Sequence, residues 1–243
     1  MPTGRLPSVE LANNLSLIRQ RIDDACVRAS RLPTDVQLMA VSKNQPPNRV
    51  GEAAALGLTL FGENRVQEAR VKIPQCPGHL TWHLIGHLQS NKARDAARMF
   101  AMVQSIDSLR LAQELGKFAE QQARQLPVLL EVNVSGESSK FGWNPTALTA
   151  ELPLVNALRR VEIHGLMTIA PYSTDPERAR PVFRRLRELR VQCEQILGAP
   201  LPVLSMGMSG DFEVAIEEGA TLIRVGTALF GERPRQVRTS DDD

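Results

Sequence analysis

Short apolar runs alternate along this chain with longer stretches whose apolar positions recur every three or four residues. The first stretch, 9–31, has helical periodicity. The run VQLMAVS at 36–42 is apolar, bounded by prolines and polar residues, and predicts a buried strand. PNRVGEAAALG follows, with Asn48 as the expected N-cap and Gly57 as the helix stop. Further strands are predicted at 58–62, 81–86, 102–107, 127–134, 161–169, 203–207 and 221–226. Helices are predicted between them at 64–73, 90–99, 108–124, 146–158 and 211–218. The helix after the sixth strand is the best signed. Asp175 caps it, Pro176 takes its first position, and Gly198 ends it, while Phe183, Leu186, Leu189, Cys193 and Ile196 mark one face.

Eight strands each followed by a helix, with one helix in front, predict an α/β fold: a (β/α)8 TIM barrel with an extra N-terminal helix. An open doubly wound sheet is the alternative. The length of 243 residues suits one such barrel, since these run to about 200–250 residues as a single domain. The expected boundaries are a barrel over 1–233 and a disordered charged tail over 234–243.

Composition narrows the function classes. A net charge of +2 gives no global pull toward nucleic acid or an anionic membrane. No stretch reaches the roughly 18 apolar residues of a membrane span, and the N-terminus lacks the apolar core of a signal peptide. The three cysteines, Cys26, Cys76 and Cys193, are far apart and without CxxC spacing, which argues against a disulfide framework or a structural zinc site. The expected compartment is the cytoplasm. Only five of the 29 basic residues are lysines, so a lysine in an unusual place draws attention.

In such barrels the chemistry sits at the C-terminal strand ends. Lys43 follows the first strand there. Partial desolvation at a barrel mouth would free its amine to attack a carbonyl, although a lysine there can also snorkel to solvent. The segments after strands seven and eight, Ser209-Gly210-Asp211 and Gly226-Thr227, combine glycines with hydroxyls where helices begin. That chemistry suits a phosphate, and ordinary turns and caps use the same residues. Arg224 interrupts the apolar eighth strand and needs a partner, either a neighbouring carboxylate or a ligand heteroatom. His79, His83 and His87 are spaced by four, but on a strand that spacing spans about 13 Å, too far for one metal. His83 is expected to pack in the barrel with its ring hydrogen-bonded.

Six segments in order, AVSK (40–43), FGENRVQEA (61–69), WHLIGHLQSNK (82–92), GLMTIAP (165–171), LSMGMSGD (204–211) and IRVGTALFG (223–231), together resemble the pyridoxal phosphate homeostasis protein family. The resemblance spans about residues 10–233 and implies a barrel similar to the N-terminal domain of alanine racemase. It implies pyridoxal 5′-phosphate (PLP) held as a Schiff base on Lys43. It also implies phosphate contacts from the segments containing Ser209, Gly210, Gly226 and Thr227, with Arg224 facing the cofactor and Asn64 beside it. Arg65 stands where the family often has tyrosine, and His87 where it often has a small residue or proline; neither touches the lysine or phosphate motifs.

The function the resemblance implies is binding, buffering and handing over PLP, with effects on vitamin B6 and amino-acid balance and no substrate turnover. Partners would then be PLP and, transiently, apo forms of PLP-dependent enzymes, with no nucleic acid or membrane. The alternative is a fold-type III PLP enzyme such as an amino-acid racemase. Such racemases need a second base on the other cofactor face, supplied by a β-domain and a dimer partner. Twelve residues follow Gly231, so no such domain is expected, and a monomer is. The single tyrosine, Tyr172, is a poor substitute for that base.

Overall fold

Strands that are apolar on both faces require cover on both sides. A sheet closed on itself supplies it, with inner faces packing on one another and outer faces on a ring of helices. The computed structural model describes residues 7–137 and 139–231, and in it eight parallel strands form a closed barrel in sequential order. They are β1 (Gln37–Val41), β2 (Leu60–Glu63), β3 (Thr81–Leu84), β4 (Met102–Ile106), β5 (Leu126–Glu131), β6 (Val161–Met167), β7 (Val203–Ser205) and β8 (Leu222–Val225). A leading helix, α1 (Val9–Arg28), precedes them. The connecting helices are α2 (Pro47–Ala55), α3 (Val66–Lys72), α4 (Ala93–Met99), α5 (Leu109–Gln121), α6 (Pro145–Asn156), α7 (Arg180–Leu197), α8 (Phe212–Glu217) and α9 (Thr227–Phe230). β1 closes the ring, with Ala40 opposite Phe61 of β2 on one side and Val225 of β8 on the other.

Side chains alternate between the two faces of each strand. Met39, Leu60 and Leu222 pack inside the barrel, and Met102, Leu129 and Met167 pack across from them, with Val203 touching both groups. Their neighbours Ala40, Phe61, Val103, Val128 and Ile223 face the helices. Gly62 is the inward residue of β2, where a Cβ would fall 2.6 Å from Met39 Sδ, so the glycine makes room for that side chain. One pleat further along, the inward positions become polar. Gln104 follows Met102, Glu131 follows Leu129, Ser205 follows Val203 and Arg224 follows Leu222 by two residues each. An apolar layer therefore carries a polar layer directly beneath the C-terminal mouth.

The leading helix packs on α8 and α9. Its stripe of Leu11, Leu15, Ile18 and Ile22 is buried. Burying side chains of this size contributes about 1.5–3 kcal/mol each. The half-exposed Arg21–Glu213 pair at 2.7 Å adds no more than about 1 kcal/mol, so the stripe fixes the helix and the pair tunes it.

Some local expectations change. Asn48 does not cap α2; Pro47 opens the helix with Pro46 at the cap, because a fixed φ suits the first position. Gly57 does follow that helix, at φ +89°. Asp175 caps a short 3-10 turn, Pro176–Ala179, which leads into α7, and Gly198 ends α7 in the left-handed region. Ile196 is 45% exposed and lies outside the buried face of α7 formed by Phe183, Leu186, Leu189 and Cys193. The expected charged tail, 234–243, lies outside the described residues. No helix among the described residues is long and apolar enough to cross a membrane.

Candidate functional site

The loops at the C-terminal ends of the strands enclose a cavity of about 320 Å³. Lys43, Asn64, Ser209, Gly210, Arg224, Gly226 and Thr227 all line it. The seven residues singled out in the sequence, drawn from loops after β1, β2, β7 and β8 and from β8 itself, thus meet at one place.

Each is positioned by its element. Lys43 is the inward residue after Ser42, in the turn that ends β1, and is half-buried. Asn64 follows β2 and is held from behind by Gly86, where a Cβ would lie 2.8 Å from Asn64 Cα. Asn64 Oδ1 is buried and has no hydrogen-bond partner among the described residues. A buried acceptor left in this state is costly, so it marks a place where a ligand donor is expected.

Across the mouth, Gly207 adopts φ +90° and turns the chain sharply after β7, packing against α8, where a Cβ would meet Ala215 Cβ at 2.5 Å. Asp211 Oδ1 then accepts from Met208 N–H at 2.6 Å, and Ser209 Oγ accepts from Ala228 N–H at 3.2 Å, tying the β7 and β8 loops together. The N–H groups of Ser209, Gly210 and Thr227 donate to no protein acceptor among the described residues. Asp211 also lines the cavity, and burial raises its carboxyl above the usual range against the opposing pull of Arg224. Its engagement by Met208 N–H turns that oxygen away from competing with an anion for donors.

Arg224 is 4% exposed. Its Nη1 donates to Ser205 Oγ at 2.6 Å and its Nη2 to the Thr168 carbonyl at 2.8 Å. Burial lowers its pKa to about 10, with Asp211 and Glu131 acting the other way. Its direct partners are therefore a hydroxyl and a backbone carbonyl, and no carboxylate forms an ion pair with it among the described residues.

The contact continues across the barrel. Ser205 Oγ accepts from Arg224, so its own proton goes to Gln104 Oε1 at 2.7 Å. That leaves the Gln104 amide nitrogen facing His83 Nδ1 at 2.9 Å. Arginine has only donors, so the polarity of the chain is fixed from that end: His83 accepts at Nδ1 and carries its proton on Nε2. Burial lowers the His83 pKa to about 4, consistent with a neutral ring. His83 is thus packed in the barrel and hydrogen-bonded, as its strand position predicts. His87, the position where the family often has a small residue, pairs with Asp107 at 3.1 Å and stacks on Phe141 at 3.7 Å, outside the cavity lining.

Gln104 and Glu131 are the polar inward residues that the sequence reading missed, and Ser205 and Thr168 fell within the resembling segments without a role of their own. A signal existed: Gln104 lies two residues after Met102 on the inward face of MVQSI, and a polar residue buried on that face needs hydrogen-bond partners there.

The sequence model of the alanine racemase N-terminal domain family matches residues 10–234. The pyridoxal phosphate homeostasis protein of Aquifex aeolicus (strain VF5) is 46% identical over 220 residues, 90% of this chain and 96% of that protein. The solved structure of PipY from Synechococcus elongatus PCC7942 with PLP bound superposes with a TM-score of 0.80 at 43% identity, covering 91% of this chain and 100% of that one. Alanine racemase of Clostridium difficile 630 shares the fold alone, with a TM-score of 0.74 at 15% identity over 97% of this chain and 60% of that one. Together with the barrel and the residues gathered at its mouth, these matches mean that the chain belongs to the alanine racemase N-terminal domain family and, within it, to the pyridoxal phosphate homeostasis proteins.

Proposed function

We propose that this protein binds PLP at the barrel mouth, holds it as a Schiff base on Lys43, and serves PLP (vitamin B6) homeostasis and amino-acid balance without turning over a substrate. The observation that carries this is the convergence of Lys43 with Ser209, Gly210, Gly226 and Thr227 in one cavity whose roughly 320 Å³ suits a small cofactor. When bound, PLP brings an aldehyde that condenses with a primary amine, a phosphate anion and a pyridine ring. The residues present fit that group. Lys43 supplies the amine. Uncommitted N–H groups at Ser209, Gly210 and Thr227, with the Ser209 and Thr227 hydroxyls, suit the phosphate. Asn64, whose buried Oδ1 has no hydrogen-bond partner among the described residues, lines the same cavity.

Holding rather than turnover is supported by what else lines the mouth. Proton transfer on both faces of a cofactor needs two positioned groups. Tyr172 is 93% exposed at the rim, and Asp211 is engaged by Met208 N–H. The proposal extends to release toward apo PLP-dependent enzymes by transient contact, as a monomer in the cytoplasm. The free thiols of Cys26, Cys76 and Cys193 suit a reducing compartment, and burial pushes Cys76 and Cys193 up to about 11.

Titration with PLP tests the function. The wild type should gain a near-visible absorbance band that borohydride fixes onto a Lys43 peptide, and Lys43→Ala should gain none. A wild type that gains no band, or a label on another lysine, overturns the assignment. Ser209→Ala combined with Thr227→Ala should weaken PLP more than pyridoxal; equal weakening would place the phosphate elsewhere. Exchange of amino-acid α-protons into deuterated water at a useful rate would favour the racemase-like alternative.

A further inference from the structure

Two of the five lysines lie at the end of β1. Lys43 lines the cavity, and Lys72, on α3, sits behind it on the helix side of the barrel. Lys72 is 5% exposed, and its Nζ lies 2.7 Å from each of Ser42 O, Glu63 Oε1 and Glu68 Oε1. An ammonium has three N–H groups. Each has an acceptor here, so Lys72 has no donor left for a ligand.

The same cluster grips the backbone on both sides of Lys43. Glu63 Oε1 also accepts from Ser42 Oγ at 2.6 Å, and Glu68 Oε1 accepts from Asn44 N–H at 2.6 Å. The Ser42 carbonyl accepts from Gln45 N–H at 2.9 Å as well as from Lys72. Asn44 turns the chain at φ +61°, in the left-handed region that asparagine adopts more readily than other non-glycine residues. Alternation places this arrangement. Val41 and Lys43 point inward, so Ser42 points outward, toward Glu63, the outward residue that ends β2.

Stability alone is a weak reason for such a cluster. Burying ionised groups is expensive, and apolar residues of similar volume generally stabilise a core as well or better. Burial accordingly raises the Glu63 carboxyl, while Lys72 and Ser42 oppose that shift. Apolar replacements would lack one capability: holding a carbonyl and an N–H at fixed points one residue either side of Lys43.

Resting on the cofactor role of Lys43, we propose that Lys72, Glu63 and Glu68 are positioning residues that fix the Ser42–Asn44 backbone and so aim the Lys43 amine at the PLP aldehyde. In that condensation the Lys43 nitrogen forms the C=N bond and the aldehyde oxygen departs as water. The clamp residues touch neither.

The test compares PLP with pyridoxine 5′-phosphate, whose alcohol replaces the aldehyde and which needs only the ring and phosphate contacts. Lys72→Met should slow and weaken PLP capture roughly ten- to a hundredfold, as misplacement of a reacting group does. Its affinity for pyridoxine 5′-phosphate should stay within about twofold, and amide exchange over residues 42–45 of the PLP-free protein should accelerate. Equal loss of both ligands, or loss of neither, overturns the clamp. Glu68→Gln, at a less buried position, should give the same split at about three- to tenfold if Lys72→Met does not fold. Amide exchange decides independently of the cofactor. Unchanged exchange over 42–45 in a folded variant refutes the clamp. Faster exchange alongside a wild type that captures no PLP supports the clamp's grip on the loop and refutes the role of Lys43.

Discussion

Glu131 ends β5 as an inward residue of the polar layer and is 7% exposed. Burial, reinforced by Asp107 and opposed by Arg224, raises its carboxyl to about 7. In the unfolded chain the same group titrates near 4.5. The folded protein therefore binds the extra proton between those values. The contribution to stability is fully present below 4.5 and is lost as pH rises through about 7. One pH unit of such a difference corresponds to about 1.4 kcal/mol, so the whole window amounts to about 3 kcal/mol. Glu131→Gln removes the titration and keeps the shape. Its stability relative to wild type should rise by about 3 kcal/mol from pH 4.5 to pH 8 and then level off. Urea unfolding of both proteins at half-unit pH steps and constant ionic strength reads this directly, because titrating groups not coupled to Glu131 cancel in the difference. A difference that stays within about 0.5 kcal/mol across the window, or that falls, would refute the placement of Glu131 in a dry layer.

His83 predicts the mirror image. Its pKa is lowered by burial from 6.5 to about 4, so its contribution is present above 6.5 and lost as pH falls through 4. His83→Gln should therefore resist acid better than wild type over that window by about 3 kcal/mol, and parallel acid unfolding curves would count against a neutral buried ring. Ser205→Ala removes the hydroxyl between Arg224 and Gln104, at 2.6 Å and 2.7 Å, and leaves Arg224 Nη1 and Gln104 Oε1 without that partner in the interior. One of these bonds involves a charged donor, so the loss should be about 2–4 kcal/mol, or a melting temperature lower by roughly 5–15 °C. A loss under about 1 kcal/mol by calorimetry would mean that water replaces the hydroxyl and that the relay is not dry.

The barrel was legible because its signal is redundant. Every strand run is apolar, every connection is helical, and the order never breaks, so errors at single boundaries do not alter the architecture. The misplaced cap at Asn48 shows the limit: Pro47 competes for the same helix start, and a rigid φ outweighs a side-chain cap. The residues that line the cavity were legible for a different reason. Lys43, Ser209 and Thr227 sit at strand ends, where the barrel places chemistry regardless of detail, and the resemblance names the ligand. The supports of the site were hidden. Lys72 looks like an ordinary helical lysine in VQEARVK, and nothing in its spacing says that three oxygens converge on it. Gln104 and Ser205 lie 101 residues apart and meet only because β4 and β7 face each other inside a closed ring. Contacts of that kind depend on which pleat each residue occupies, which is fixed by register and not by local pattern.

The polar layer also bears on why the site should hold a cofactor and not exploit it. Of the five N–H groups on the Arg224 guanidinium, Ser205 and Thr168 take one each, and the residue still lines the cavity. The hydrogen bonds from Arg224 through Ser205 and Gln104 to a neutral His83 all point away from the guanidinium, so nothing in them competes for its remaining N–H groups. Arg224 therefore faces the cavity as a fixed donor at any physiological pH, even with its pKa lowered to about 10. A donor so placed disfavours a proton on a pyridine nitrogen set against it, and an unprotonated ring withdraws electrons poorly. If the proposed cofactor sets its ring nitrogen against Arg224, the residue would thus dampen the reactivity of the ring it faces. With all three Lys72 donors occupied, Lys43 is the lysine of the pair that lines the cavity, and on the proposed function a fixed donor opposite it would suit a carrier.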